Sequence, residues 1–287
     1  MDEIRNFKGI SYLRQYRREN QQKPASKAIM NLEILNDDLL EAYIKAVNSV
    51  GLKERFEALK DAEISTKNFR FYTSVASVFS SKIEGEEIEL DSYIKHKGMG
   101  IQFNPDYTKK IDDLYDAYEF ARKNDLTAST IVQAHKLLAK NIVASQYLGQ
   151  LRNSNMYVAS ADGRIEFVAV DPYNLKGEMT KFYKDVSTLT KQVLSVEEIF
   201  YYAAFIHLVF VKIHPWNDGN GRSARLIEKW FVSQHLGEKA WFLESEKNYY
   251  THHNLYYHNL RLLGLEYIEM DYGKALPFLL MLPQGLK

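Results

Sequence analysis

A chain of 287 residues with 46% hydrophobic content can bury a substantial core, enough for one large domain or two smaller ones. Lysine plus arginine and aspartate plus glutamate both number 37, so no global charge excess steers it toward nucleic acid or an anionic membrane surface, and any anion site must be local. The absence of cysteine excludes disulfides, thiolate nucleophiles and thiolate metal sites.

The first twenty residues, MDEIRNFKGISYLRQYRREN, carry no apolar core of the signal-peptide type, and no apolar run of about 18 residues occurs that could span a bilayer. The expectation is a cytoplasmic protein without a membrane partner. Six prolines and apolar residues at every third or fourth position predict an all-α fold. Helical spacing runs from about Ile29 to Leu59 and resumes in STKNFRFYTSVASVFSSKIEG until Gly85 interrupts it. The glycine, proline and asparagine of KGMGIQFNPD, Lys97 to Asp106, mark a loop. It predicts a boundary between a helical N-terminal region, 1–105, and a second region, 106–287. No internal repeat or low-complexity segment occurs.

NMYVASADGRIEFVAV departs from the helical rule, with two short β-prone runs around the turn dipeptide Asp162-Gly163 that predict a β-hairpin. SVEEIFYYAAFIHLVFVKI opens with Ser195 and Glu198 spaced as a capping box and continues as a helix apolar all round, the expected buried centre. It delivers His214 at its end. Pro215 discourages continuation, and a further helix is predicted from about Asn220 to Gly237.

Between those helices lies HPWNDGNGRSAR, His214 to Arg225. Cations in the first turn of a helix are disfavoured unless something negative sits among them, so Arg222 and Arg225 ask for an anion. Gly219, Asn220 and Gly221 offer backbone amides at a helix start, a combination that binds phosphate. The two arginines, three apart, share a helix face and are spaced to take different phosphates of a polyphosphate. Asp218 is a hard oxygen ligand suited to Mg²⁺ shared with nucleotide phosphates, and His214 is the nearby group able to accept a proton near neutral pH. Taken singly these are ordinary structural features. Joined within twelve residues they describe attack by a hydroxyl on a phosphate. His207, two helical turns earlier, reads as a core histidine, and with no His-Glu-x-x-His helix or cysteine pair zinc is not expected.

The stretch resembles the signature of Fic-domain proteins, H-P-F-x-D/E-G-N-G-R-x-x-R, with Trp216 in place of the usual phenylalanine. The resemblance, extending over roughly Leu126 to Leu260, implies transfer of AMP from ATP to a protein hydroxyl. It implies His214 as base, Asp218 on Mg²⁺, the Gly219 to Gly221 backbone on phosphate oxygens, Arg222 on the phosphates near the transferred group and Arg225 on the γ-phosphate. GQLRNSNMYV resembles the lead into the family's flap, a hairpin that holds a target segment by strand addition. NYYTHHNLYYHNL resembles the helix whose tyrosines border the base, with Tyr249 and Tyr250 as candidates. Ser80-Ser81-Lys82-Ile83-Glu84-Gly85 resembles the inhibitory helix, S/T-x-x-x-E-G/N, whose glutamate pairs with the second arginine; that assigns Ser80, Glu84 and Gly85. Self-modification is a further implication. The alternatives are AMP removal, transfer of another phosphate-containing group, and a non-catalytic nucleotide-sensing module. The oligomeric state stays open, a homo-oligomer included.

Overall fold

In chain order the helices are α1 (Leu40–Asn48), α2 (Leu52–Glu57), α3 (Thr66–Ile83), α4 (Leu90–Met99), α5 (Pro105–Lys123), α6 (Ala128–Leu138), α7 (Pro172–Leu189), α8 (Val196–Ile213), α9 (Asn220–Leu236), α10 (Ser245–Thr251), α11 (His253–Arg261) and α12 (Leu276–Leu279), with strands β1 (Tyr157–Ala159) and β2 (Ile165–Val168) between α6 and α7. The computed structural model describes residues 30–59, 66–101, 105–159 and 163–286. The expected helical class with one small hairpin is the one observed. The described residues from Leu32 onward form one compact unit. No helix among the described residues is long and apolar enough to cross a membrane.

Helix α8 is the centre. Ser195 accepts from the Glu198 amide, the Glu198 side chain accepts from the Ser195 amide, and every residue from Ile199 to Ile213 is buried. At about 1.5–3 kcal/mol for each large apolar side chain removed from water, its phenylalanines, isoleucines and valines dominate the core. Helix α9 packs along it, with α1, α7 and α12 on its other sides. Helix α3 lies against α5, α9 and α10, which brings its C-terminal end to the start of α9.

The helical spacing from Ile29 to Leu59 yields helix only from Leu40 onward, and Ile29 itself lies outside the described residues. The amides of Glu33, Ile34 and Leu35 donate instead to the carboxylate of Asp185 on α7, at 2.7–3.0 Å. Donors held by a side chain build no helix. Gly51, at φ 64°, then separates α1 from α2. In the hairpin Tyr157 pairs with Val168 and Val158 with Phe167, with an irregularity between Val158 and Ala159. Gly163 takes the left-handed conformation the turn requires, while Asp162 lies outside the described residues. Val168 also donates to the carbonyl of Leu265 at 2.8 Å and bridges Glu266 in the parallel sense, so the base of β2 is bonded on both edges.

Candidate active site

His214 ends α8 with φ 53°, the one non-glycine left-handed residue among those described. That conformation costs on the order of 1–2 kcal/mol and turns the chain out of the helix. Its Nδ1 lies 3.2 Å from the carbonyl of Val211. A carbonyl only accepts, so Nδ1 carries the hydrogen and Nε2 presents a bare lone pair. Burial pushes the imidazole down to about 4, outweighing the Val211 carbonyl, and the charge of Arg152 adds to the depression. The ring is therefore neutral at physiological pH. Phe167 of β2 meets it edge-on at 5.9 Å between ring centres, which sets the hairpin beside the histidine.

The following loop is held from three directions. Trp216 is buried and stacks on His135 of α6 at 4.5 Å. The Asn220 side chain closes on the Trp216 backbone, accepting from its amide at 2.8 Å and donating to its carbonyl at 2.9 Å. His135 Nδ1 accepts the Gly149 amide, which leaves Nε2 to donate to the Asp218 carbonyl, both at 3.0 Å. Gly219 has φ 81°, and a Cβ there would stand 3.0 Å from Leu138, so both backbone and space require glycine. The Asp218 side chain accepts from the Gly219 amide and is exposed.

The ladder of α9 begins with the Ser223 amide on the Gly219 carbonyl; the amides of Asn220, Gly221 and Arg222 precede it and have no partner within the helix. Arg225, 1% exposed, donates from Nε to Ser80 Oγ at 2.8 Å, and from Nη2 to the Ser80 carbonyl at 3.1 Å and to Glu84 Oε1 at 2.6 Å. Burial pulls the Glu84 carboxyl up, but the charges of Arg225 and Arg222 override it and hold the group below the ordinary carboxylate value. Arg222 is almost as buried, yet its Nε and Nη1 have no hydrogen-bond partner. Its nearest carboxylate is Glu86, at 3.8 Å from Nη2, which itself accepts from Lys110 at 2.7 Å. A Cβ on Gly221 would run into Glu84 Oε1. The carboxylate therefore lies directly over the helix start.

His214, Asp218, the Gly219–Gly221 backbone, Arg222, Arg225, Ser80 and Glu84 thus converge, with Gly85 in the turn after α3 at φ 88°. The Asn220 side-chain amide is spent on Trp216, which leaves the backbone N–H, the group expected to meet phosphate. One expectation is corrected. Tyr249 is fully buried, its hydroxyl donating to Glu228 Oε2 at 2.7 Å, which places it in the core; Tyr250 is 36% exposed and lies against Phe79 and Lys82 beside α3. Neighbours on a helix point about 100° apart, so one tyrosine faces in and one out. His207 is the core histidine expected, between Glu228 at 2.7 Å and the Tyr256 hydroxyl at 3.0 Å. Sequence reasoning missed His135, Arg152 and Glu86, whose partners lie far along the chain and follow no local spacing.

Residues 125–232 match the Fic/DOC family model. A stretch of 89 residues is 33% identical to the uridine 5'-monophosphate transferase of Xanthomonas campestris pv. campestris (strain 8004), covering 30% of this chain and 17% of that protein. The chain therefore spans less than a fifth of that relative. Among solved structures, a Fic family protein from Desulfovibrio desulfuricans G20 superposes with a TM-score of 0.69 at 17% identity, over 87% of this chain and 72% of that one. A Fic domain containing signaling protein from Bacteroides thetaiotaomicron VPI-5482 gives 0.63 at 19% identity, over 85% and 92%. Those two likenesses concern the fold. With the family match spanning α6 to α9 and the signature loop between α8 and α9, this chain carries a Fic/DOC-family domain over residues 125–232.

Proposed function

We propose that the protein is an autoinhibited adenylyltransferase that moves AMP from ATP to a hydroxyl of a target protein, its own included. The observation that carries this reading is Arg222: a buried guanidinium with two unpartnered donor atoms, at a helix start whose leading amides have no intrahelical acceptor, beside a neutral histidine with a bare nitrogen. Buried donors of this kind are costly unless a ligand completes them. A polyphosphate supplies the missing acceptors. His214 Nε2 takes the proton of the acceptor hydroxyl as that oxygen bonds to the α-phosphorus in line, and the bond from the α-phosphorus to the bridging oxygen breaks to release pyrophosphate.

No group of three or more His, Asp or Glu side chains converges as a metal cage among the described residues. The exposed Asp218 carboxylate suits a Mg²⁺ that takes its remaining ligands from phosphates and water. Bound there, the cation would neutralise phosphate charge. Glu84 occupies Arg225 and the space over Gly221, so the γ-phosphate is denied its place until the carboxylate moves. The hairpin beside His214 is the element suited to hold a target strand.

A second reading, transfer of UMP, is favoured by the name of the Xanthomonas relative. Incubating the full chain and its Glu84→Gly variant with Mg²⁺ and α-labelled or γ-labelled ATP and UTP separates the readings. Label from α-ATP alone, stronger in the variant, is the expected result. Label from α-UTP alone establishes the second reading, and γ-label retained on protein excludes both.

A further inference from the structure

Arg152 is 3% exposed, and its guanidinium meets main-chain carbonyls. Nε donates to the carbonyl of His214 at 2.7 Å, Nη1 to that of Ser154 at 2.7 Å, and Nη2 to those of Ile213, at 3.3 Å, and Val170. Its own amide donates to the Pro215 carbonyl at 3.0 Å. A cation sunk this deeply ordinarily meets a carboxylate; burial lowers its pKa and the charge of Asp171 opposes that. The four acceptors fall into two groups. Ile213 and His214 are the end of α8, whose last carbonyls have no helical donor. Ser154 and Val170 flank the hairpin, one before β1 and one after β2, and just inside them the Ala169 amide closes on the Met156 carbonyl at 2.9 Å.

We propose that Arg152 is the positioning residue that fixes the flap hairpin relative to His214, one planar guanidinium tying both roots of the hairpin to the carbonyl of the base. This rests on the reading of His214 as the base and of the hairpin as the target holder. The left-handed turn at His214 needs an anchor on its carbonyl side, and Nε supplies it. Because the same rigid fork holds Ser154 and Val170, a displacement of the hairpin is transmitted to the histidine backbone. Lysine keeps the charge but lacks the fork and cannot reach both groups at once. Misplacing reacting atoms by about 1 Å costs on the order of 10²-fold in rate. Nucleotide contacts at α9 do not pass through Arg152.

The test uses the full chain carrying Glu84→Gly, alone and with Arg152→Lys or Arg152→Gln. Three quantities are read: self-labelling rate at saturating α-labelled ATP, affinity for a non-transferable ATP analogue, and hydrogen exchange over 153–159, 163–171, 199–210 and 211–217. The expected result for both variants is a labelling rate down by about 10²-fold with unchanged analogue affinity. Exchange accelerates together in the hairpin roots and in 211–217 while 199–210 stays protected. Arg152→Lys labelling at the parent rate, or exchange unchanged in the hairpin roots, overturns the proposal. Affinity loss in step with rate, with 199–210 opening as well, also overturns it and makes Arg152 a general stabiliser. If the parent labels nothing, the transferase reading fails on its own, and the exchange pattern still decides on Arg152.

Discussion

Helix α9 buries four charged residues in two successive turns, and the turns treat them differently. In the second, Lys229 and Glu246 pair at 2.6 Å with both side chains 1% exposed, and the Tyr118 hydroxyl adds a bond to the same carboxylate; Glu228 receives His207 and Tyr249. Those partners are permanent core. In the first turn Arg225 borrows Glu84, whose side chain is 26% exposed, and Arg222 has two donors without acceptors. The completed Lys229–Glu246 pair belongs to the fold, and Glu228, although its Oε1 has no partner, is fully buried; the unpartnered donors of Arg222, beside the partly exposed Glu84, mark where a ligand belongs.

That contrast can be broken at its strongest point first. In the Glu84→Gly background, His214→Ala should cut label transfer by about 10²–10⁴-fold, the worth of a general base, while leaving the unfolding midpoint in place; strong labelling would remove His214 from the chemistry. In the second turn the effect should fall on stability instead. Glu246→Gln leaves Lys229 charged and unpaired in the core and should cost about 3–5 kcal/mol in urea unfolding, and a loss under about 1 kcal/mol would mean that Lys229 is not held there as a cation. Glu84→Gly should cost less, about 1.5–3 kcal/mol for one charged hydrogen bond, and raise transfer by about 10–10²-fold, the same scale; equal labelling of the parent would sink the inhibitory role.

The smallest expected effect is on pH dependence. His135, 1% exposed, is pushed down to about 4 by burial, against about 6.5 in an unfolded chain. Between those values the unfolded state binds the extra proton, so stability is full above the unfolded value and falls as pH drops through the window. Urea unfolding at about pH 7.5 and about pH 5 should differ by on the order of 1–2 kcal/mol from this group. His135→Gln should flatten that slope, and an unchanged slope would mean the imidazole is already charged in the folded protein.

The most local features were the most legible. Ser195 and Glu198 announced α8, Gly237 ended α9, and the twelve residues from His214 marked the candidate site because they lie together on one loop and helix start. Glu84 was legible through the resemblance of Ser80–Gly85 to the S/T-x-x-x-E-G/N pattern, although its partner Arg225 lies on another helix. What stayed hidden was set by distant pairing. His135 and Arg152 grip the loop from α6 and from the approach to the hairpin, and no spacing in their own segments distinguishes them from any buried histidine or arginine. The stretch before Leu40 misled because Asp185, far along the chain, takes its amides. The tyrosine pair misled because a short helix offers no periodicity from which to tell the inward residue.

Gly221 has an ordinary helical backbone and needs no glycine for its own conformation; what a side chain there would strike is Glu84. Positions 84 and 221 therefore share one volume and form a single variable for selection. A lineage that enlarged residue 221 would lose the resting carboxylate without any change in α3, and one that gave up the carboxylate would lift the resting-state constraint on residue 221. Under the proposed function, release of inhibition can thus be inherited through the loop before α9 as well as through α3.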